Sequence, residues 1–237
     1  MHEYQALVQM VALTLGVAWA SGTNLYAAVA TLGLSGSLDY IDLPPGLEIV
    51  QDPLVIAAAA FMYCVEFMAD KIPGVDTGWD ALHTFIRIPA GPMLAAGALV
   101  DVSPAMTIAG GLVGASVTAA THATKAGSRV LINTSPEPFS NWGASILEDI
   151  AVFTGLWAAL QHPMVFLVAL LVFLVSVCWL LPKLWRSVKL VFRKVGSWLG
   201  LIRSENSHRL EALNKLMDAG VLTTSEYHAV RARLSTG

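Results

Sequence analysis

The charged side chains that could do chemistry fall into three clusters, and the first has the spacing of helix faces. Glu66 and Asp70 are four residues apart, so they share one face of a helix, and Lys71 follows directly. Pro73-Gly74 is expected to end that helix. Beyond it, a second face carries residues at spacings of four, three and four, namely Asp76, Asp80, His83 and Arg87. Two acidic faces that meet at a helix break could bind a cation, or could exchange a proton with water if burial raises the pKa of a carboxyl group. The alternative is a cytoplasmic loop whose charges only pair with one another.

The second cluster is a positive stripe. His122, Lys125 and Arg129 stand at positions i, i+3 and i+7 of a segment that is otherwise rich in small residues. We expect this stripe to neutralise the carboxylates of the first cluster, because the apolar part of the chain is short of counter-charge; contact with an anionic substrate is the alternative. Glu137 is a further candidate for the site, in a Pro-Glu-Pro run that cannot form regular helix.

The third cluster, Glu148 and Asp149, stands at the start of the fifth apolar segment, residues 146–160. Acidic residues in a first helical turn interact favourably with the helix dipole, which is one interpretation of this pair. The other is an intramembrane acid pair that binds or relays cations. Asn24 ends the polar run Ser21-Gly22-Thr23-Asn24 in the first segment, where it could add a ligand or form a hydrogen bond between helices.

The amino-acid composition indicates whether these clusters lie in a soluble protein or in a membrane protein. Hydrophobic residues make up 55% of the 237-residue chain and charged residues 13%, with a mean hydropathy of +0.62, whereas soluble domains carry about 25% charged residues. An integral membrane protein is therefore predicted. The sequence contains none of the usual catalytic or nucleotide-binding motifs, so neither an enzyme nor a cofactor is expected. Cys64 and Cys178 each lie in an apolar run without a spaced partner, so neither a disulfide nor a metal site is indicated.

The predicted fold class is all-α, a polytopic bundle of about six membrane segments with interrupted helices. The segments are residues 7–34, 54–65, 88–100, 105–121, 146–160 and 163–181. The first is weakened at its polar run, and the third is expected to be broken at Gly91-Pro92. Interrupted helices beside buried charge are typical of transporters, whose binding sites lie at the broken helices.

The basic residues are unevenly distributed. Residues 1–182 carry four basic and thirteen acidic side chains, and residues 183–237 carry ten basic and four acidic. With six crossings and a cytoplasmic N-terminus, all fourteen Lys and Arg residues fall on the cytoplasmic side, which is the positive-inside pattern. We therefore predict a protein of the bacterial inner (plasma) membrane with both termini in the cytoplasm. The basic tail is expected to contact anionic lipid and not nucleic acid.

Three domains are predicted: a transmembrane domain over residues 1–182, a basic interfacial amphipathic helix over 183–203 and a small cytoplasmic helical hairpin over 204–237. In the hairpin, Gly220 is expected to end one helix, and Thr223 with Glu226 forms a capping box for the next. This hairpin resembles the short C-terminal domain found at the ends of many bacterial proteins. The resemblance implies an oligomerisation or docking element, so a homo-oligomer is expected.

Residues 66–80, 122–129 and 135–149, with the loop Leu43-Pro44-Pro45-Gly46-Leu47-Glu48, resemble a family of bacterial multi-pass inner-membrane proteins defined only as a domain of unknown function. The likeness covers roughly residues 5–182 and supplies no activity. Function is therefore inferred from the residues: a transporter or channel for a small ion or solute, coupled to a cation or proton through intramembrane carboxylates. A scramblase or flippase for anionic lipid and a non-transporting scaffold are the alternatives. The expected partners are the lipid bilayer and the transported ion or solute.

Overall fold

The computed structural model describes residues 2–134, 138–198 and 205–235, and every regular element in these ranges is a helix. The α-helices are α1 (His2–Ser37), α2 (Pro53–Ala69), α3 (Val75–Gly97), α4 (Pro104–Ile132), α5 (Pro138–Gln161), α6 (Pro163–Trp198), α7 (Glu205–Asp218) and α8 (Thr224–Ser235). A short 3-10 helix, Pro45–Gln51, precedes α2. The all-α prediction is thus confirmed for the described part of the chain. The chain forms two compact units, Met1–Trp185 and Arg186–Gly237.

In the described part of the chain, four helices are long and apolar enough to cross a membrane, namely α1, α4, α5 and α6. A fifth candidate is the 3-10 helix together with α2, which are bent by 67° where they join. These apolar helices indicate a multi-pass membrane protein, whereas the predicted count of about six crossings is not confirmed. α3 is not among the candidates, and its first half carries Asp76, Asp80 and Arg87.

α1 is broken at the polar run where the sequence predicts weakness. Asn24 has φ −147° and ψ 96°, outside the helical region, although the helix continues on both sides. The Asn24 side chain stabilises the restart, because its Oδ1 accepts a hydrogen bond from the N–H of Ala27 (3.0 Å), as an N-cap residue does. Asn24 therefore divides α1 into two arms, residues 2–23 and 25–37.

The two arms of α1 fold back on each other at this break. A straight helix of 36 residues would be about 54 Å long. However, Leu13 and Leu32 belong to one buried apolar cluster, and Met10 and Tyr40 line one cavity of about 480 Å³. Both ends of α1 therefore lie at the same end of the unit, which we name the Tyr40 end. The opposite end, where α2 connects to α3, is named the Lys71 end.

This arrangement corrects the predicted topology. A Cβ on Gly127 of α4, near the Lys71 end, would lie 3.9 Å from Leu184 of α6. The start of α1 and the point where α6 leaves the Met1–Trp185 unit therefore lie at opposite ends. The sequence predicts residues 7–34 as a single membrane-crossing segment, whereas in the structure the chain reverses direction at Asn24. The physical reason is that the polar run produces a reversal, and small side chains such as Ala20 and Ala28 let the chain pack closely beside it.

α3 continues through Gly91-Pro92, so the break expected there is absent, and both Pro89 and Pro92 lie inside the helix. Close packing explains the continuity. A Cβ on Gly91 would lie less than 3.0 Å from the side chain of Thr118 on α4, and the Thr118 hydroxyl donates to the carbonyl of Ala18 (2.9 Å) on α1. Each proline removes one N–H from the helix, and in a membrane bundle such defects are compensated by neighbouring helices.

Two further boundaries differ from the predictions. α5 begins at Pro138, so Glu148 and Asp149 lie in its third turn, and the interpretation that they stabilise a helix start is wrong. α6 runs from Pro163 to Trp198 with Pro182 inside it, so the basic residues from Lys183 onward continue this helix and do not begin a separate one. The end of the predicted interfacial helix, residues 199–203, and residue 204 of the predicted hairpin lie outside the described residues.

In the Arg186–Gly237 unit, α7 and α8 form the predicted helical hairpin. Gly220 has φ 70°, a conformation that favours glycine. The N–H of Gly220 donates to the carbonyl of Met217 (3.0 Å), and the N–H of Val221 donates to that of Leu216 (3.0 Å). These two bonds form a Schellman motif, which confirms the predicted helix end.

The predicted capping box at the start of α8 is also confirmed. The N–H of Thr223 donates to Oε2 of Glu226 (2.9 Å), and the N–H of Glu226 donates to Oγ1 of Thr223 (3.4 Å). The hydroxyl of Tyr227 donates to Oδ1 of Asn214 (2.7 Å), which joins α8 to α7.

Candidate functional site

A network of buried charged side chains lies between α2, α3, α4 and α5, and we name it the ionic network. In the described residues, nine ion pairs connect five carboxylates with three cations. Its members are Glu66, Asp70, Asp76, Asp80, Arg87, Lys125, Arg129 and Glu148. All except Glu148 are more than nine-tenths buried. Residues from all three predicted clusters therefore meet at one place.

Lys125 occupies the centre of the ionic network. Its Nζ lies 3.0 Å from both Glu66 Oε1 and Asp70 Oδ2, and 3.7 Å from both Asp80 Oδ1 and Glu148 Oε2. One ammonium group thus faces four carboxylates that other helices or their connections contribute. The positive stripe does pair with the first acidic cluster, as the shortage of counter-charge predicts.

Arg87 and His122 extend the network further along α3 and α4. Arg87 donates to Asp80 Oδ1 (2.8 Å) and to Glu66 Oε1, and its Nη1 lies 3.4 Å from Nδ1 of His122. A guanidinium group can only donate, so Nδ1 of His122 accepts. Nε2 then carries the imidazole proton and donates to Oγ1 of Thr84 (2.7 Å), whose own hydroxyl donates to the Asp80 carbonyl (2.9 Å). In this arrangement His122 is neutral.

Arg129 connects the network to α5. Its Nη2 lies 2.6 Å from Glu148 Oε2 and 3.4 Å from Asp70 Oδ2, while its Nη1 donates to the carbonyls of Asp70 (3.1 Å) and Asn141 (3.2 Å). The guanidinium of Arg129 is completely buried between these partners. The Glu148 side chain is 20% exposed, the largest exposure among the members of the network. Glu148 therefore gives the network its contact with the solvent-accessible surface.

The connection between α2 and α3 positions the acidic residues of both helices. Gly74 has φ 85°, which a residue with a side chain adopts only with strain. Asp76 Oδ1 accepts hydrogen bonds from the N–H of Gly74 (2.9 Å), the N–H of Thr77 (2.6 Å) and Nδ2 of Asn133 (2.7 Å). Asp76 thus ties this connection to the end of α4, and its Oδ2 faces Arg129 at 3.9 Å.

Asp149 lies apart from the ionic network, beside the break in α1. Nδ2 of Asn24 donates to Oδ1 of Asp149 (3.3 Å), so both alternatives for Asn24 are relevant: it forms a bond between helices and it lies next to a buried carboxylate. Among the described residues, no Lys or Arg forms an ion pair with Asp149. The charges of Lys125, Asp70 and Lys71 act on Asp149 electrostatically.

Lys71 is a predicted site residue that, like Asn24 and Asp149, does not belong to the ionic network. Nζ of Lys71 donates to the carbonyl of Phe67 (3.0 Å) and lies over the Phe67 ring, 2.8 Å from its centroid. Glu137 lies outside the described residues. In the described ranges, no group of three or more His, Cys, Asp or Glu side chains is placed to hold a metal ion.

Burial changes the titration of the two charged residues that follow α2. Burial raises the pKa of Asp70, although Lys125 acts in the opposite direction. Burial also lowers the pKa of Lys71. Both shifts favour the neutral forms of these two side chains relative to exposed side chains of the same types.

Sequence reasoning missed two contributors to the network. Arg87 was part of the second acidic face but not of the predicted site, although its spacing of seven from Asp80 placed both on one side of a helix. Asn141 accepts from Arg129 through both its carbonyl and its side-chain oxygen. No sequence signal pointed to Asn141, because α5 begins earlier than its apolar segment.

The fold and the site define an all-helical, multi-pass membrane protein with a network of ionic side chains inside its bundle. Residues 11–183 match the family described as a domain of unknown function, DUF4126, and the chain belongs to this family. This match confirms the predicted membership of an uncharacterised family. No curated protein and no solved structure matches the chain.

Proposed function

We propose that this protein is a membrane transporter for a small ion or solute, and that protons bound by the ionic network are coupled to the transport. The observation that carries the proposal is the excess of buried carboxylates. With every group ionised, five acids and three bases leave a formal charge of −2 in a region that is almost fully buried. Burying uncompensated charge costs several kcal/mol per ion, and buried acids relieve this cost by taking up protons.

The hydrogen bonds of the network support proton binding. Glu66, Asp70, Asp76 and Asp80 each have one buried carboxylate oxygen without a hydrogen-bond partner in the described structure. Protonation at such an oxygen both reduces the net charge and changes the partners that the carboxyl group can hold. Each of these four carboxylates therefore has an oxygen atom that can accept a proton and so reduce the excess negative charge of the network.

A continuous series of contacts leads from the surface into the bundle. Its members in order are Glu148, Lys125, Glu66, Arg87, His122 and Thr84, and no distance between successive polar atoms exceeds 3.7 Å. Protonation of Glu148 would weaken its attraction for Lys125 and Arg129. These cations would then bind Glu66 and Asp70 more strongly, so a proton at the surface changes the pairing at the centre.

A cavity at the Tyr40 end supports a second opening for transport. This cavity of about 480 Å³ is lined partly by Gln9, Asp42 and Asp101. Leu13 also lines it and belongs to the buried cluster that contains Val17 and Leu32. Apolar side chains therefore separate the cavity from the level of Asn24, as expected for a transporter in a state closed towards this end.

The distribution of basic residues supports an orientation for the protein. Residues 1–70 contain no Lys or Arg, and the basic residues of the Met1–Trp185 unit begin at Lys71. By the positive-inside rule, the Lys71 end faces the cytoplasm of a bacterial inner membrane, and the start of α1 lies on the other side. The C-terminal hairpin is cytoplasmic in this arrangement and serves as a docking or homo-oligomerisation element.

The pairing of the positive stripe argues against the lipid-handling alternative. Lys125 and Arg129 are bound to carboxylates and are almost fully buried, so neither is available to an anionic lipid head group. Neutralising a buried acidic cluster is the function that their contacts favour.

The proposal is tested by ion flux in proteoliposomes that contain a pH-sensitive dye or a divalent-cation dye. The wild type is compared with Asp70→Asn and Lys125→Ala, and with Glu3→Gln as the matched control, because Glu3 is exposed at the start of α1. We expect flux in the wild type and in the control, and its loss in both network variants. Absence of flux for a folded wild type, or equal flux in all four proteins, would contradict the proposal.

A further inference from the structure

We propose that the break in α1, together with α5, forms a sodium-binding site that is separate from the ionic network. The inference deepens the proposed transport function and rests on it, because a cation bound at a broken helix is a natural coupling ion for a transporter. The site is centred on Asp149 and Asn24.

Three buried oxygen atoms near the break lack a hydrogen-bond partner in the described structure. They are Ser21 Oγ, Ser145 Oγ and Asp149 Oδ2, and their residues are 0%, 1% and 8% exposed. Leaving a buried polar atom without a partner is energetically unfavourable, so a group of such atoms points to a ligand that binds them.

These three residues lie on the two helices that meet at the break. Ser145 and Asp149 are four residues apart on α5, on the buried face that continues at Val152 and packs against α1. Ser21 precedes Asn24 by three residues, one turn of the first arm of α1. The hydrogen bond from Asn24 to Asp149 holds the two helices together at this level.

The chemistry of these atoms suits a small monovalent cation. Hydroxyl and carboxylate oxygens are hard ligands, and a single carboxylate balances a single positive charge. A divalent metal is less suitable, because no three acidic, His or Cys side chains converge in the described part of the chain.

The charged groups around Asp149 do not already neutralise its carboxylate through an ion pair in the described structure. Lys125 on α4 and Lys71 beyond α2 act on it electrostatically, and Asp70 adds a negative charge. The Tyr63 hydroxyl on α2 lies within hydrogen-bonding reach of the Asp149 carboxylate, and Glu148 is the neighbour of Asp149 on α5. Neither lysine forms an ion pair with Asp149, since both have other partners. Protons compete with sodium for the same carboxylate, so sodium binding weakens as the pH falls.

The test is equilibrium binding of ²²Na⁺ to the full-length protein in detergent at mildly alkaline pH. Asp149→Asn and Ser145→Ala are compared with the wild type and with Ser176→Ala, a control in which an exposed hydroxyl on α6 loses its bond to the Val172 carbonyl. We expect saturable binding in the wild type and the control, and binding at least about tenfold weaker in both site variants. Ser145→Ala keeps the carboxylate and therefore tests the site even if Asp149→Asn does not fold.

Two results would overturn the inference: no saturable sodium binding to the folded wild type, or equal binding in the site variants and the control. Proton uptake at Asp149 without sodium binding would overturn it as well. The proposed function is tested separately, because Glu66→Gln is expected to abolish flux while it leaves sodium binding within about twofold of the wild type.

Discussion

Nζ of Lys125 lies 3.0 Å from Oε1 of Glu66, and neither side chain is more than 3% exposed. The two residues are 59 positions apart in the chain and belong to different helices. A buried ion pair of this kind is a weak source of net stability, yet removal of one partner leaves the other charge uncompensated. The pair therefore provides a sharp test of the network.

Lys125→Met should destabilise the protein strongly, by about 3–5 kcal/mol, because it leaves four carboxylates without their shared cation. The measurement is thermal unfolding in detergent, with Arg186→Met as an exposed control that should change the midpoint little. Adding Glu66→Gln to Lys125→Met should restore part of the lost stability. If the loss of stability in the double variant equals the sum of the losses in the two single variants, the two residues are not coupled.

Gly22→Ala should destabilise the fold and Gly78→Ala should not. A Cβ on Gly22 would lie less than 3.0 Å from the carbonyl of Thr118 and the side chain of Thr121, so α1 and α4 would have to separate. Gly78 lies in a helix with no heavy atom within 4 Å of its Cβ position, so alanine there should stabilise by about 0.5–1 kcal/mol. Unfolding midpoints of the two variants check this pair. Equal midpoints would contradict the close approach at Gly22.

The raised pKa of Asp70 predicts a specific pH dependence of stability. The folded state holds this proton more tightly than the unfolded state, so the contribution is fully present below the ordinary pKa of 3.8 and is lost as the pH rises through the higher folded-state pKa. Asp70→Asn should therefore gain stability relative to the wild type as the pH rises through that range. Unfolding midpoints measured over a pH series test this, with exposed Asp218→Asn as a control that should show no such trend. A constant difference between wild type and Asp70→Asn would contradict it.

The folded-back α1 predicts that the start of the chain and the residues after α1 are on one side of the membrane. Single cysteines at Gln5, Tyr40 and Thr134 are introduced after Cys64 and Cys178 are replaced by alanine. A membrane-impermeant maleimide applied to intact cells should label the first two positions, and the third only after permeabilisation. Labelling of Gln5→Cys from the same side as Thr134→Cys would show that α1 crosses once.

The capping box of α8 predicts a second, opposite pH effect. Hydrogen bonds from Thr223 lower the pKa of Glu226, so the cap is present above the ordinary pKa of 4.5 and is lost as the pH falls through the lower folded-state pKa. Thr223→Ala should speed amide exchange in the first turn of α8 of the full-length protein, as measured by hydrogen–deuterium exchange. Asp218→Asn, outside the box, should leave exchange in that turn unchanged, and equal exchange in both variants would contradict the role of the cap.

Local features were predictable because they depend on neighbours in sequence. The spacing of Glu66 and Asp70 put both on one helix face, the polar run ending at Asn24 broke α1, and Gly74 separated α2 from α3. Even the pairing of Lys125 with acids followed from simple charge balance. Each of these conclusions requires only helical periodicity or the chemistry of a few adjacent residues.

The path of the chain was not predictable in the same way. Whether the run at Asn24 bends a helix or reverses it depends on contacts such as those of Leu13 and Leu32 with one apolar cluster. Likewise, α3 passes through Pro92 because Gly91 packs on Thr118, a contact made by residues 27 positions apart. Hydropathy along a sequence does not contain these tertiary contacts.

The central claim is that the buried carboxylates of the ionic network carry protons for transport, and one measurement tests it most directly. Proton flux is recorded in proteoliposomes under an imposed membrane potential for the wild type, Glu66→Gln and Glu48→Gln, the last being an exposed acid in the 3-10 helix. The account predicts flux in the wild type and in Glu48→Gln, and a loss of at least about tenfold in Glu66→Gln. Unchanged flux in Glu66→Gln would contradict a role of the ionic network in proton movement.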